Sequence, residues 1–255
     1  MKKLRPLIKG IVQLAFWLLV WQILAVFVSK PLLLPSPWHV LLRLFELMRQ
    51  GAFWGATLTS LVRILLGMIL AVCLGCLLAV LTSASKILYM LISPLLAVVR
   101  STPVVSFIML ALLWLGRDVL PAFTAFLMVV PVVWANIYEG IKSTDTDLLQ
   151  MAKVFGFSRP RAIRRVYAPS VLPFFLSAIR SAIGFAWKAG ITAEVLTVPK
   201  SSIGRMVYES KLNLETADLF AWTLVVILCS VIIEKLAVSS ISRLSGKYEA
   251  RSVTT

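Results

Sequence analysis

Long apolar runs separated by short polar islands set the outline of this chain. Six runs stand out, at Ile11–Val28, Thr57–Thr82, Ile87–Leu115, Val119–Ile141, Val171–Val198 and Leu219–Ile241. Each reaches the length of about 18 residues that a helix needs to cross a bilayer. The third is too long for a straight crossing. Fully helical, it would measure about 43 Å against about 30 Å of hydrocarbon, so it must tilt, kink or break. Pro94 and Pro103 mark the expected points. The first run follows Lys2, Lys3, Arg5 and Lys9 and has no small-residue cleavage site, so it is expected as a retained helix and not as a signal peptide. Between the first two runs, Pro31, Pro35 and Pro37 precede a short amphipathic stretch, Val40–Met48, that suits a helix lying on the membrane surface.

Small and polar residues inside the runs carry the next layer of information. Gly67, Ala71 and Gly75 recur four apart in the second run, a stripe that lets another helix approach closely in lipid. Arg63, near the start of that run, is expected to extend toward the headgroups. Arg100 falls near mid-depth of the third run, beside Ser101, Thr102 and Pro103. A charge there must face protein or water, which fits either a pathway-lining role or a structural ion pair. In the fourth run Asn136 is expected to bond across helices, and Pro199 to Thr216, after the fifth run, is expected to form the last outer loop.

The fifth run places Ser177, Ser181, Gly184, Lys188 and Thr192 on one helical face, polar or small throughout. With Arg100, Pro103 and Glu194, the face of Ser177, Ser181, Gly184 and Lys188 forms the candidate translocation path. A helix interface with a buried ion pair is the alternative. Glu194 lies about 240° round the helix from Lys188, so the two are not expected to pair within it.

The longest polar island, Thr146 to Pro173, holds two short amphipathic patterns. One is predicted to start at Thr146, with Asp147 in its first turn, and to stop at Gly156. Leu148, Ala152 and Phe155 recur at helical spacing on it, with Met151 beside them. The other fits Ser158–Tyr167, with Pro160 in its first turn and Pro169 expected to end it. Arg159, Arg161, Arg164 and Arg165 coat this second helix. On composition alone, such a loop also suits an anionic lipid surface.

Gln150, Met151 and Ala152, then Gly156, then Val166 and Ala168-Pro169, resemble the "EAA" loop of ABC importer permeases. The glycine and proline spacings match. Gln150 stands where the family usually has Glu, Met151 replaces the first Ala, and Ala168 replaces Leu. The segments SPLLAVVRSTPVVSFIMLALLWLG and AWKAGITAEVL are similar to the nitrate/sulfonate/taurine branch. The resemblance implies an all-α, polytopic membrane protein with six transmembrane helices, of the type I ABC importer permease architecture. It implies a coupling helix seated in a groove of an ATPase subunit, with Leu148, Leu149, Gln150, Met151, Ala152, Phe155, Gly156 and Pro169 as the coupling residues. Because Gln150 is neutral, its contact is expected to be a plain hydrogen bond, leaving the apolar face to carry more of the docking.

Composition supports the membrane reading, since 60% of the residues are hydrophobic and only 15% charged. The net charge of +15 follows the loops, with no aromatic-interleaved basic surface, so nucleic acid is not an expected partner. With both termini cytoplasmic, the inner segments hold twice as many Lys and Arg as the outer ones, which favours six spans and an inside central loop. Residues 11–241 then form one permease domain with its coupling loop at 142–170, between a basic N-terminus, 1–10, and a tail, 242–255.

No familiar catalytic chemistry is encoded. The phosphate-binding G-x-x-x-x-G-K-[ST], H-E-x-x-H and G-x-S-x-G patterns are all absent. Cys73, Cys76 and Cys229 sit in apolar runs, and His39 is the single histidine, so neither a metal site nor a redox pair is expected. The chain is therefore expected to hold no cofactor and not to be an enzyme; ATP and Mg would serve a separate ATPase. The resemblance further implies a homodimer in the bacterial inner membrane, two cytoplasmic ABC ATPase subunits and an extracytoplasmic substrate-binding protein. A small anionic or polar organic solute would cross by alternating access. A stand-alone secondary transporter or channel is the alternative, for which internal repeats and paired broken helices would be expected.

Overall fold

The computed structural model describes the backbone of residues 4–252 and the side chains of residues 10–237 and Ser239. The basic residues expected at the two ends, Lys2, Lys3, Arg5 and Lys9, then Arg243, Lys247 and Arg251, lie outside the described side chains. The described chain is helical throughout. Its elements are α1 (Leu4–Val28), α2 (Pro37–Met48), α3 (Gly51–Ala84), α4 (Lys86–Ser101), α5 (Val104–Ala111), α6 (Leu120–Lys142), α7 (Thr146–Val154), α8 (Arg159–Ala162), a π-helical turn (Ile163–Tyr167), α9 (Ala168–Thr197), α10 (Ile203–Leu212) and α11 (Thr216–Ser252).

Five helical stretches are long and apolar enough to cross a membrane: Gly10–Val28, α3, α6, Arg159–Thr197 and Thr216–Ala237. A sixth span exists if α4 and α5 are taken together, bent by 102° at their junction. The expected break in the third run thus falls at Thr102-Pro103, where Pro103 has no N–H to continue the ladder. Pro94 lies inside α4 without ending it.

The centre of the bundle is α6, packed along both α3 and α9. Lipid gives two apolar helices no hydrophobic reason to associate, so close backbone packing must hold them. The small-residue stripe supplies it. A Cβ on Gly67 would lie 2.1 Å from the carbonyl oxygen of Ala122, and one on Gly75 would lie 2.8 Å from Cβ of Val133. Ala71 and Ala79 between and beyond them are fully buried. At one end of this interface Tyr89 stacks with Trp134 and Tyr138, which fastens the start of α4 to α6, and the Trp134 indole N–H donates to Thr82 Oγ1 at 3.0 Å, which ties the end of α3 to α6.

The surface helix is present as α2, seated through Val40, Leu44 and Leu47. Arg43 at its edge pairs with Asp218 in the first turn of α11, through Nε–Oδ1 and an Nη2–Oδ2 contact of 3.0 Å, and with Glu46 at 2.8 Å. Hydrogen bonds from these carboxylates, Asp218 first, hold the guanidinium protonated well above its ordinary range. The hydrophobic stretch of α1 buries none of its crossing segment against this chain. Trp21 tethers it, donating to the Pro35 carbonyl at 3.1 Å and meeting the Phe220 ring 5.7 Å away.

Four expectations need correction. Pro169 does not end a helix: α8, the π-turn and α9 run on as one helical stretch. The N–H of Ala168 bonds Ile163, five residues back, and this wider winding just before Pro169 accommodates its missing donor and bulky ring. Asn136 bonds its own helix, donating to the Val132 carbonyl at 2.9 Å. Between Pro199 and Thr216, read as a plain loop, lies α10, capped by Ser202, whose hydroxyl accepts from the Arg205 N–H at 3.1 Å. Arg63 does not reach for the headgroups but turns into the bundle, onto Glu194.

Candidate functional site

The loop helix α7 begins at Thr146, where the sequence predicts its start. Asp145, not Thr146, is the N-cap, and its Oδ1 accepts from the Asp147 N–H at 2.8 Å. Asp147 in the first turn and Lys153 in the last both complement the helix dipole. Gly156 closes the helix at φ +65°, the left-handed conformation that a Cβ disfavours. The Phe157 N–H reaches back to the Ala152 carbonyl at 2.9 Å and the Gly156 N–H to that of Lys153 at 3.1 Å, the paired bonds of a Schellman cap.

The faces of α7 divide cleanly. Ala152 is buried, next to the π-turn whose Val166 is buried too, while Leu149 is half-buried. Leu148, Met151 and Phe155, spaced as one stripe, are exposed, Phe155 at 70%, and Gln150 is exposed with them. Val154, which the sequence reading passed over, is 84% exposed and widens the patch. Its apolar character one residue before the capping pair Phe155-Gly156 was the available signal. Pro169 is exposed where α9 begins. The arrangement offers a protruding apolar knob on a short, firmly capped helix, set on the end of two long helices.

The second region is α9. Ala178, Ala182, Ala186 and Ala193 are buried toward the bundle, whereas Ser177 and Lys188 are exposed and Ser181, Gly184 and Thr192 half-buried. Space is open beside Gly184, with nothing within 4 Å of where its Cβ would stand. Arg100 and Pro103 flank the bend between α4 and α5, both exposed, and α5 packs against α9. Neither Lys188 nor Arg100 makes an ion pair among the described residues.

Glu194 stands apart from that face. It is fully enclosed, its Oε2 accepting from the Ser60 hydroxyl at 2.7 Å and from the Gly204 N–H at 3.1 Å, its Oε1 facing Arg63 Nη1 at 3.3 Å. Arg63 Nη2 lies 3.5 Å from Asp118 Oδ1, which also accepts from the Lys200 N–H at 2.9 Å. Sequence spacing did not bring these partners to Glu194, because they lie on α3, on α10 and in the segments ahead of α6 and α10. Among the described residues, no group of three or more His, Cys, Asp or Glu could hold a metal ion.

The chain belongs to the family of binding-protein-dependent transport system inner membrane components, which it matches over residues 71–246. It is 30% identical to a putative aliphatic sulfonates transport permease protein of Bacillus subtilis, covering 84% of this chain and 78% of that one. It is 26% identical to the taurine transport system permease protein of Escherichia coli, covering 84% and 80%. In structure it is similar to a chain of a bacterial ABC transporter involved in the import of the acidic polysaccharide alginate, with a TM-score of 0.63, 16% identity, and coverage of 95% and 99%. It is therefore a multi-pass inner-membrane permease subunit of a binding-protein-dependent ABC importer, a transport component and not a catalytic one. Such a system implies an ATPase and a binding protein as partners.

Proposed function

We propose that two copies of this chain form the translocation path, with the faces of Ser177, Ser181, Gly184 and Lys188 turned toward each other. The observation that carries this is Lys188: a cation in a membrane-crossing helix, exposed on this chain and without an ion-pair partner among the described residues. A charge in that setting is costly against hydrocarbon, so its surroundings must be protein or water. A second copy supplies both. Arg100 and Pro103, at the bend beside α5, border the same path. Unpaired Lys188 and Arg100 favour a small anionic or polar organic solute, in keeping with the sulfonate and taurine relatives.

In this reading both termini and α7 are cytoplasmic, and the stripe of Leu148, Met151 and Phe155 seats in a groove of each of two ATPase subunits, which bind ATP and Mg. Closure of the ATPases on ATP pushes α7. α7 packs against the π-turn, and α8, the π-turn and α9 are one helical stretch, so a push on α7 reaches the face of Lys188 through that contact. The path then opens alternately to the two sides of the membrane.

The experiment compares hydrolysis with uptake in vesicles holding the whole complex. Gly156→Val forces a β-branched residue into a left-handed conformation that costs about 1–2 kcal/mol, though no atom lies within 4 Å to clash. The cap of α7 loosens while the bundle stays intact. Membrane insertion at normal levels with uptake reduced more than hydrolysis is the expected outcome. Uptake and substrate-stimulated hydrolysis both at wild-type levels would refute the coupling role.

A further inference from the structure

From the enclosed carboxylate between α3, α9 and α10, we infer that Glu194 is a positioning residue that locks α10 to the path-lining helix α9, so that force applied at α10 reaches α9 directly. This rests on the importer reading and deepens it.

The geometry of the lock is specific. The first backbone amides of a helix have no partner within it. In α10 two of them are satisfied from outside the helix: the Ile203 N–H donates to Ser60 Oγ at 2.9 Å, and the Gly204 N–H to Glu194 Oε2 at 3.1 Å. Ser60 in turn donates to the same carboxylate oxygen, so α3, α9 and α10 meet at one atom. The negative charge sits at the positive end of the α10 dipole, and Arg63 closes its other side. No gap remains at the junction, because a Cβ on Gly204 would lie 2.3 Å from Cβ of Glu194.

The turn that delivers α10 to this point is strained. Val198 and Ser201 both hold left-handed backbone conformations, at φ +49° and +47°, and Val198 is β-branched. Such residues persist only where surrounding contacts over-determine them. The Lys200 N–H bond to Asp118, together with Arg63 bridging Asp118 and Glu194, supplies those contacts. Well-packed apolar side chains could hold three helices together without the cost of enclosing charges. What the ionic arrangement adds is direction, since hydrogen bonds fix how α10 is oriented on α9.

The lever is short. α10 also packs on α11, whose Asp218 is held by Arg43 of α2, so the surface elements at this end form one cap. Lys188 lies about 9 Å along α9 from Glu194. Displacement of the cap therefore moves the end of α9 nearest the proposed path.

The test uses the complete complex in nanodiscs and measures ATP hydrolysis with and without loaded binding protein. A purely structural role lowers both values together, by lowering the amount of assembled complex. A positioning role lowers their ratio. Glu194→Ala is expected to cut the ratio about fivefold or more, and Glu194→Gln, which can still accept from Ser60 and Gly204, to restore part of it. Ser60→Ala, which keeps the Arg63 pair, serves if Glu194→Ala does not assemble, and is expected to reduce the ratio about twofold. A wild-type ratio in Glu194→Ala, or in Ser60→Ala where only that variant assembles, would overturn the inference. A wild-type complex that hydrolyses no ATP would instead defeat the importer reading beneath it.

Discussion

Gly67→Ala is expected to break the bundle. A single methyl group there would stand 2.1 Å from the Ala122 carbonyl oxygen, 2.9 Å from its carbonyl carbon and 3.0 Å from its Cα. All three are backbone atoms, so no side-chain rotation relieves the overlap, and α3 and α6 must part. Overpacking in a close-packed interior costs about 1–3 kcal/mol when side chains can shift, and this case sits at or above the upper end. The loss is amplified in a membrane, where the two helices are held by close contact with no hydrophobic term to replace it. Thermal unfolding in detergent should show a clearly lowered midpoint for Gly67→Ala and little folded material for Gly67→Val. Gly184→Ala is the control, since nothing lies within 4 Å of its Cβ position, and its midpoint should match the wild type. A wild-type midpoint for Gly67→Ala would mean that α3 and α6 are farther apart than described.

Lys188→Met is the second large effect expected, and it separates the path from the packing. The substitution keeps an unbranched side chain of similar length and removes the charge. Lys188 is exposed on this chain and pairs with no acid among the described residues, so the fold of one copy loses nothing. Uptake should nevertheless fall about tenfold or more, the scale on which loss of one well-placed polar contact registers in transition-state terms. The ATPase should remain bound, because α7 lies at the far end of the helical stretch from Lys188. Unchanged uptake would assign Lys188 to packing between helices.

The long elements were legible because each rests on a local signal. Apolar run length marks the crossing helices, the four-residue spacing of Gly67, Ala71 and Gly75 marks the α3–α6 contact, and Pro103 marks the break before α5. Gly156 as the stop of α7 was equally local. The misreadings share a different cause. Pro169 forbids an α-helical hydrogen bond, but whether the chain ends its helix or widens into a π-turn depends on neighbours that sequence periodicity does not register. Asn136 had a partner four residues back in its own helix, which competes with any partner across an interface. α10 did carry a signal, in Ser202 ahead of Ile203, Met206 and Val207 at helical spacing, but the polar setting masked it.

The site was legible only in part. The exposed stripe of Leu148, Met151 and Phe155 follows from spacing along α7, yet Ala152 turns inward and Val154 outward because the π-turn packs on one side. The exposed face of α9 was readable from its fifteen-residue polar spacing. Glu194 was placed with that face because a charge in an apolar run suggests a path. Its burial depends on Ser60 and Arg63 of α3, far off in sequence, and on the amide of Gly204 in α10, across a turn, and no periodicity within one helix reveals such a meeting.

The proposed coupling requires α7 to be the seat of an ATPase. Phe155 is the most exposed residue of its stripe and touches little of its own chain, so Phe155→Asp places a charge on the proposed docking surface without disturbing the bundle. The deciding measurement is co-purification of the ATPase with the tagged permease from membranes, wild type beside Phe155→Asp. The wild type is predicted to retain an ATPase at one copy per permease chain, and the variant to insert normally and lose it. A wild-type permease that carries no ATPase yet supports uptake alone, or a variant that retains the ATPase in full, would contradict the account.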